Sequence, residues 1–304
     1  MAISAKDVKE LRDLSGAGIM DCKKALQETD GDLDEALAFL QKKGAAAAEK
    51  KASRTAAEGL VETWLNEDST EAVLVEVNCE TDFVSQNEQF GDFVDKIATT
   101  VGVSRASSTE ELDDVQVVGT DKSVADYTAE QVTVIGENIK TRRFVRYQVE
   151  QGAIGAYVHA GGQIGVLVQV DAPEGADRES LEKLGRDVAM HVAAMSPGYL
   201  DEDQIPEEDE AAQREILKAQ AEEMDKPESV IDKIVTGRLA KWRGENVLLK
   251  QPFVKDPDLS VGELVDKVDG ASIASFVRFE VGEGIEKGDE KSLSEEVAEQ
   301  LRGS

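Results

Sequence analysis

The chain has 304 residues, 40% of them hydrophobic, with 63 acidic against 34 basic side chains and a formal charge of −29. That length exceeds the usual single domain, so two or more cores are expected, and the acidity argues against nucleic acid as a direct ligand, because phosphate binding relies on Lys and Arg. Charge spread over the whole chain reads as a solubility or salt-adaptation property. A soluble, cytoplasmic protein is expected: "MAISAKDVKE" contains no apolar signal core, and no stretch approaches the ~20 apolar residues that cross a bilayer. Cys22 and Cys79 have no CxxC partner, which leaves a disulfide framework or thiolate metal site unsupported.

Ser4 followed by Asp7 has the pattern of a capping box, and Val8, Leu11 and Leu14 then predict a short helix that stops at Ser15 to Gly18. A second helix is predicted from about Ile19 to Thr29. After the break at Asp30 to Asp32, the residues Leu33, Ala36, Leu37 and Leu40 mark a third, ending at Gly44. Three short helices with tight turns form a small bundle suited to recognition, with Leu11, Leu26 and Leu37 as its core. The Ala-rich, locally basic stretch 45–58 favours a helix acting as a solvated connector.

The run Val73 to Val77 alternates and branches as a half-buried strand should, then leads into Glu80-Thr81-Asp82, a helix-start signature with Phe83 beside it. A ring in that place is either folded back as a staple for the next helix or offered outward to a partner. From Gly59 onward the pattern repeats. Gly59, Val61, Trp64, Val73 to Val75 and Val77 recur as Gly152, Ile154, Tyr157, Val166 to Val168 and Val170, an offset of 93 (152 minus 59). A helical pattern follows each pair of strands: Phe90, Phe93, Ile97 in one copy and Leu181, Leu184, Val188 in the other. The third strand repeats at an offset of 132 (276 minus 144), "FVRYQVEQG" matching "FVRFEVGEG".

The longer second offset implies an insertion, read as an antiparallel helical hairpin over 206–243 with Ile216, Leu217, Val230, Ile234, Val235 and Leu239 at its seam. Residues 104–131 read as polar and irregular. The chain finishes with a short amphipathic helix carrying Leu293, Val297 and Leu301. Hairpins with flanking helices predict an α+β fold.

Motifs for phosphate cradles, nucleophile elbows and zinc hydrolysis are missing from the sequence, and no catalytic residue, metal ligand or cofactor is assigned. The glycines of "GAIGAYVHAGGQIG" read as turn residues. Of two histidines, His191 lies at helical spacing from Val188 and Met195 and reads as a core residue; His159 stands at a hairpin tip beside Gly161 and Gly162, either solvated or facing a partner.

The stretch "LRDLSGAGIMDCKKALQETDGDLDEALAFLQKKG" closely resembles the N-terminal signature of the elongation factor Ts family, the bacterial and organellar exchange factors for elongation factor Tu. The likeness continues through "AAEG", "VEVNCETDFVSQN", "YVHAGGQIGVLV", "KPESVIDKIVTGRLAKW", "QPFVKDPDLSVGELV" and "FVRFEVGEGIEK", spanning essentially the whole chain. The resemblance implies a ubiquitin-associated-like three-helix module at 1–44 and a helical linker at 45–58. It implies two related core subdomains at 59–149 and 150–282, the second with the hairpin insertion, and a C-terminal module at 283–304. It also implies a factor that binds GDP-bound elongation factor Tu and releases GDP by disturbing the Mg²⁺ site, with no covalent chemistry. On this likeness Thr81, Asp82, Phe83 and Val84 form the element that dislodges Mg²⁺, the ring pointing outward, while Ile19, Met20, Lys23 and His159 contact the partner. A homodimer through the core or the hairpin is as compatible with the sequence as a one-to-one complex. The competing classes are a plain interaction scaffold and an enzyme working in the cleft between the core copies.

Overall fold

The computed structural model describes residues 3–224 and 226–286; the helix expected around Leu293 to Leu301 lies outside them. In chain order the elements are α1 Ala5–Ser15, α2 Ile19–Glu28, α3 Leu33–Lys51, β1 Glu58–Leu65, β2 Glu71–Cys79, α4 Asp82–Ser85, α5 Glu88–Val103, α6 Thr109–Asp113 and α7 Val124–Ile135. There follow β3 Lys140–Gln148, β4 Gly152–His159, β5 Ile164–Asp171, α8 Arg178–Met195, α9 Glu207–Glu222, α10 Glu228–Asn246, β6 Pro252–Phe253, β7 Asp256–Ser260, α11 Val261–Val265 and β8 Ser272–Glu280. The chain is thus mixed helix and sheet, as an α+β protein is. One three-stranded sheet has the order β1-β2-β3 and a second the order β4-β5-β8, with a two-stranded β6-β7 ribbon beside them in sequence. By internal contacts the chain forms two units. The first comprises Met1–Glu62, Val75–Phe144 and the segment from Glu280; the second comprises Thr63–Leu74 and Val145–Phe279.

In the first unit, α1 opens with the full capping box of Ser4 and Asp7 and closes at Gly16, whose φ of 65° is the left-handed conformation that glycine adopts freely. Leu11, Cys22, Ala25, Leu26, Ala36 and Leu40 form the buried core of the three helices, with Val8, Leu33 and Leu37 packed at its margin. The third helix does not stop at Gly44. It continues to Lys51 with no break, because Ala45 to Ala48 are strong helix formers and because Gly44 serves a different purpose from capping. A Cβ on Gly44 would lie 3.1 Å from the Thr133 hydroxyl of α7, so the missing side chain lets two helices approach. The continuation is therefore not a solvated connector: it packs on α7, and Lys51 Nζ donates to the Val132 carbonyl at 3.3 Å.

That partner helix comes from the stretch expected to be irregular. Ser123 accepts from the Asp126 N–H as N-cap, and Gly136 ends the helix with φ 91°, so local caps define a helix whose apolar positions Val124 and Val132 are buried. The strand β2 also differs from expectation. It is buried on both faces over Ala72–Cys79 instead of half-buried, because the face that carries Glu76 is covered by polar partners from later in the chain. Glu76 has 0% side-chain exposure and meets Arg142 at 3.0 Å and Arg143 at 2.5 Å, while the Gly282 N–H donates to it at 2.8 Å. Burial alone would raise the Glu76 carboxyl; the donors Gly282, Arg143, Asn78 and Arg142 outweigh it and hold the group below its ordinary value.

In the second unit, β4 and β5 pair antiparallel from Gly152 with Asp171 to His159 with Ile164, and Val166, Val168, Val170, Leu181, Leu184 and Val188 belong to one buried core with Leu248, Phe253 and Val261. Gly155 is not a turn residue. It lies inside β4, where an added Cβ would stand 2.0 Å from the Gly185 carbonyl carbon of α8, so two glycines allow helix and strand backbones to touch. His191 is buried, as its spacing predicts. Its Nδ1 accepts the Val254 N–H at 3.2 Å and its Nε2 pairs with Gln251 Oε1 at 2.8 Å, an arrangement that requires the neutral ring with its proton on Nε2. The helices α9 and α10 bury Leu217, Ala221, Ile231, Val235 and Leu239 against each other. Glu210 near the start of α9 meets Arg243 near the end of α10 at 2.6 Å, so the pair runs antiparallel. Ile216 and Val230, expected in the seam, are 51% and 39% exposed, since Ala221 and Ile231 occupy the facing positions.

The repeat is visible in the backbone. Gly59 and Gly152 have φ of 145° and 135°, and a Cβ would meet the Val77 carbonyl oxygen at 2.1 Å and the Val170 carbonyl oxygen at 2.0 Å respectively. Both the glycines and the oxygens they approach are separated by the offset of 93 read from the sequence.

Candidate functional site

Where β2 ends, the chain turns through Glu80 and Thr81 into the single turn of α4. Thr81 has extended backbone angles, φ −125° and ψ 155°, and stands at the N-cap, yet its hydroxyl makes no bond to its own helix. It donates instead to Glu137 Oε1 at 2.6 Å, while the N–H groups of Glu80 and Thr81 both donate to Glu137 Oε2 at 3.0 Å. Glu80 in turn accepts the Asn138 N–H at 2.6 Å and an Arg54 N–H at 3.3 Å. The Asn138 amide reaches back to the carbonyls of Ala52 at 3.4 Å and Arg54 at 2.8 Å. Three stretches distant in sequence are tied together by these bonds.

On the turn so held, Asp82 is exposed, Val84 is half-buried and Ser85 is buried. Phe83 is 83% exposed. The ring is therefore turned out to solvent and does not act as a staple for α5, whose core contacts come from Phe90 and Phe93. Next to this turn, Cys79 is buried and donates to the Thr81 carbonyl at 3.2 Å. Burial, with Glu137 and Glu58 nearby, pushes its thiol up to about 12, so at neutral pH it stays a protonated, weakly reactive filler.

The remaining sequence-predicted residues fall in two other places. Ile19 and Met20 open α2 and are 55% and 74% exposed, with Leu14 of α1 also largely in solvent; Lys23 lies one helical turn on and is exposed too. Ile19 and Lys23 line a groove against α1 together with Val8 and Arg12. His159 ends β4 at the hairpin tip, exposed, with its Nδ1 2.9 Å from the Tyr157 hydroxyl. Ala160, Gly161 and Gly162 all have positive φ there, so the chain reverses tightly and presents the imidazole at its edge. His159 belongs to the second unit; Ile19, Met20, Lys23 and Phe83 belong to the first.

Sequence reasoning did not find Arg54, Glu137 or Asn138. The only local signal is Gly136, whose role as a helix end places Glu137 and Asn138 at the start of a connection. Among the described residues no group of three or more His, Cys, Asp or Glu side chains is arranged to hold a metal ion, and no helix is long and apolar enough to cross a membrane.

The described residues define the class: a mixed helix-and-sheet chain with a repeated strand order and a polar-tied turn that exposes an aromatic ring. A family model described as Elongation factor TS matches residues 80–283. Over its whole length the chain is similar to Elongation factor Ts of Alkalilimnicola ehrlichii, 49% identical over 304 residues and covering 100% of both chains. It is 46% identical over 300 residues to Elongation factor Ts of Halothermothrix orenii, covering 98% of this chain and 99% of that one. It is 47% identical over 306 residues to that of Methylococcus capsulatus, covering 100% of both. The chain belongs to the elongation factor Ts family, and so to the elongation factors of protein biosynthesis.

Proposed function

We propose that the chain binds the GDP-bound form of elongation factor Tu and promotes release of GDP, so that GTP can enter, acting by contact and without covalent chemistry of its own. The observation that carries this reading is Phe83, a large ring 83% exposed on a turn fastened by hydrogen bonds at Glu80 and Thr81. An exposed ring costs the free protein apolar hydration, and a tied base keeps it from collapsing onto nearby apolar surface. Inserted between side chains of the GTPase, it displaces groups that hold Mg²⁺; because Mg²⁺ demands nearly octahedral geometry, small displacements weaken its hold and that of the phosphates it bridges.

In this reading Thr81 anchors the element, Val84 roots it, and Asp82 hydrogen-bonds to the partner beside the ring. Ile19, Met20 and Lys23 press on the GTPase domain from a ubiquitin-associated-like module, and His159 meets a second contact surface from the other core copy. The layout of three-helix module, two related core subdomains, inserted hairpin and C-terminal module is part of the same proposal, as is action in the cytoplasm with no cofactor, nucleic acid or membrane.

The test compares Phe83→Ala with Phe90→Ala, measuring melting temperature and GDP release from elongation factor Tu for each. Truncating a central interface anchor typically costs about 2–4 kcal/mol of binding. Phe83→Ala should therefore keep its melting temperature and slow exchange by tens of fold or more, at roughly 1.4 kcal/mol per factor of ten. Phe90 is fully buried, and its truncation should cost about 3–5 kcal/mol of stability. Normal exchange from a stable Phe83→Ala protein sinks the mechanism.

A further inference from the structure

Thr81 departs from ordinary N-cap behaviour. An N-cap hydroxyl normally accepts an N–H from its own helix; here the hydroxyl donates away from α4, to Glu137 at 2.6 Å. One carboxylate thereby takes three donors from two consecutive residues, the N–H groups of Glu80 and Thr81 and the Thr81 hydroxyl. The bond pattern is reciprocal, because Glu80 accepts the N–H of Asn138, the residue after Glu137. Residues 80–81 and 137–138 thus exchange hydrogen bonds through side-chain carboxylates, much as paired strands exchange them through carbonyls. Phe83 lies two residues beyond this clamp, on a helix of four residues that is too short to orient itself.

We propose that Glu137 is a positioning residue for Phe83: its carboxylate sets the direction in which the turn presents the ring, and so governs the exchange step without touching the partner. The proposal rests on the wedge role of Phe83 given above. Hydrogen bonds to an ionised acceptor are the strong ones, and three on one carboxylate define an orientation as well as a distance. Without them the two amides turn to water and the ring samples several directions, of which few suit insertion. Misplacement of about 1 Å in a reacting assembly is enough to slow it about a hundredfold. Glu137 is half-buried and is not part of an apolar cluster, so its chief loss on substitution falls on the turn.

The experiment is a double-mutant cycle in the full chain, with GDP release measured at saturating and sub-saturating factor. Glu137→Gln keeps one acceptor oxygen and Glu137→Ala keeps none, so the maximal exchange rate should fall in that order, by roughly tenfold or more for Ala, with the half-saturating concentration changed less. If Glu137 acts through Phe83, adding Glu137→Ala to Phe83→Ala slows exchange no further; a general structural role multiplies the two effects. Amide hydrogen exchange at Glu80 and Thr81 in the free protein should accelerate in Glu137→Gln while the amides of β2 stay protected. Should the Glu137 variants fail to fold, Thr81→Val, which removes one of the three bonds, carries the same cycle. Slow Phe83→Ala with normal exchange in the clamp variants, or multiplicative effects, overturns the positioning role alone. Normal exchange in Phe83→Ala overturns the wedge and this proposal together.

Discussion

The two copies of the repeat handle the same connection in opposite ways. Residues 80–87 join β2 to α5 and residues 172–177 join β5 to α8; the strands repeat at an offset of 93 and the helices at 91 (181 minus 90), so the first connection is longer by two residues and carries Phe83. In the second copy Ala172 and Ala176 pack against the unit's apolar core, Pro173 fills the space beside Gly270, and Asp177 caps α8 through the Ser180 N–H at 3.1 Å. The connection is absorbed into the fold. In the first copy a ring stands in solvent and polar groups from distant segments hold its base. A small apolar residue there serves stability; a large exposed one, tied from outside, leaves the core free of it. Substitutions at the two connections should therefore report on different properties.

The helices behind the connections differ as well. Gly155 and Gly185 let β4 and α8 meet backbone to backbone, whereas the equivalent positions of the first copy are Glu62 on the strand and Val94 on the helix. The largest effect should come from this contact. Gly155→Ala places a methyl 2.0 Å from a backbone atom that cannot swing aside, and should cost about 3 kcal/mol or more of stability. Glu62→Ala should stay within about 1 kcal/mol. Chemical denaturation with both variants checks the contrast, and equal costs would show that the copies pack their helices alike.

A smaller effect should appear with pH, and only in the second copy. By the helical match of Phe90 with Leu181, His191 occupies the position that Thr100 holds in the first. Burial lowers the His191 ring from its ordinary 6.5, against the opposing bond to Gln251. Its folded value lies below its unfolded one, so its contribution to stability is complete above pH 6.5 and is lost as pH falls toward the folded value. The slope has an upper bound of about 1.4 kcal/mol per pH unit. Protonation at Nδ1 also breaks the bond from the Val254 N–H. Amide protection in α8 should fall between pH 7 and 5.5 while that in α5 holds; parallel loss in both helices would remove the asymmetry.

The smallest effect on stability is expected at the exposed hairpin tip. His159→Ala deletes one bond to Tyr157 at the surface and should shift stability by no more than about 0.5 kcal/mol, while weakening binding or slowing exchange moderately. A large fall in melting temperature would mean that the imidazole supports the hairpin itself.

Much of this was legible in the chain because it is written locally. The Ser4 and Asp7 capping box, the α2 start at Ile19, the offsets of 93 and 132 and the core position of His191 all follow from short-range periodicity and caps, which act over one or two turns. Tertiary structure decided what depends on a partner far away. Gly44 has the same letter whether it ends a helix or admits Thr133, and only the approach of α7 selects the second role. Glu76 sits in an apolar run that predicts a half-wet strand, until Arg142, Arg143 and Gly282 cover its outer face. Glu137 follows a helix end like many surface carboxylates, and nothing near it in sequence announces Thr81. A hydrogen bond between residues 56 positions apart leaves no periodic trace, because its two ends answer to separate local rules and meet only when the sheet and the helices have already brought them together.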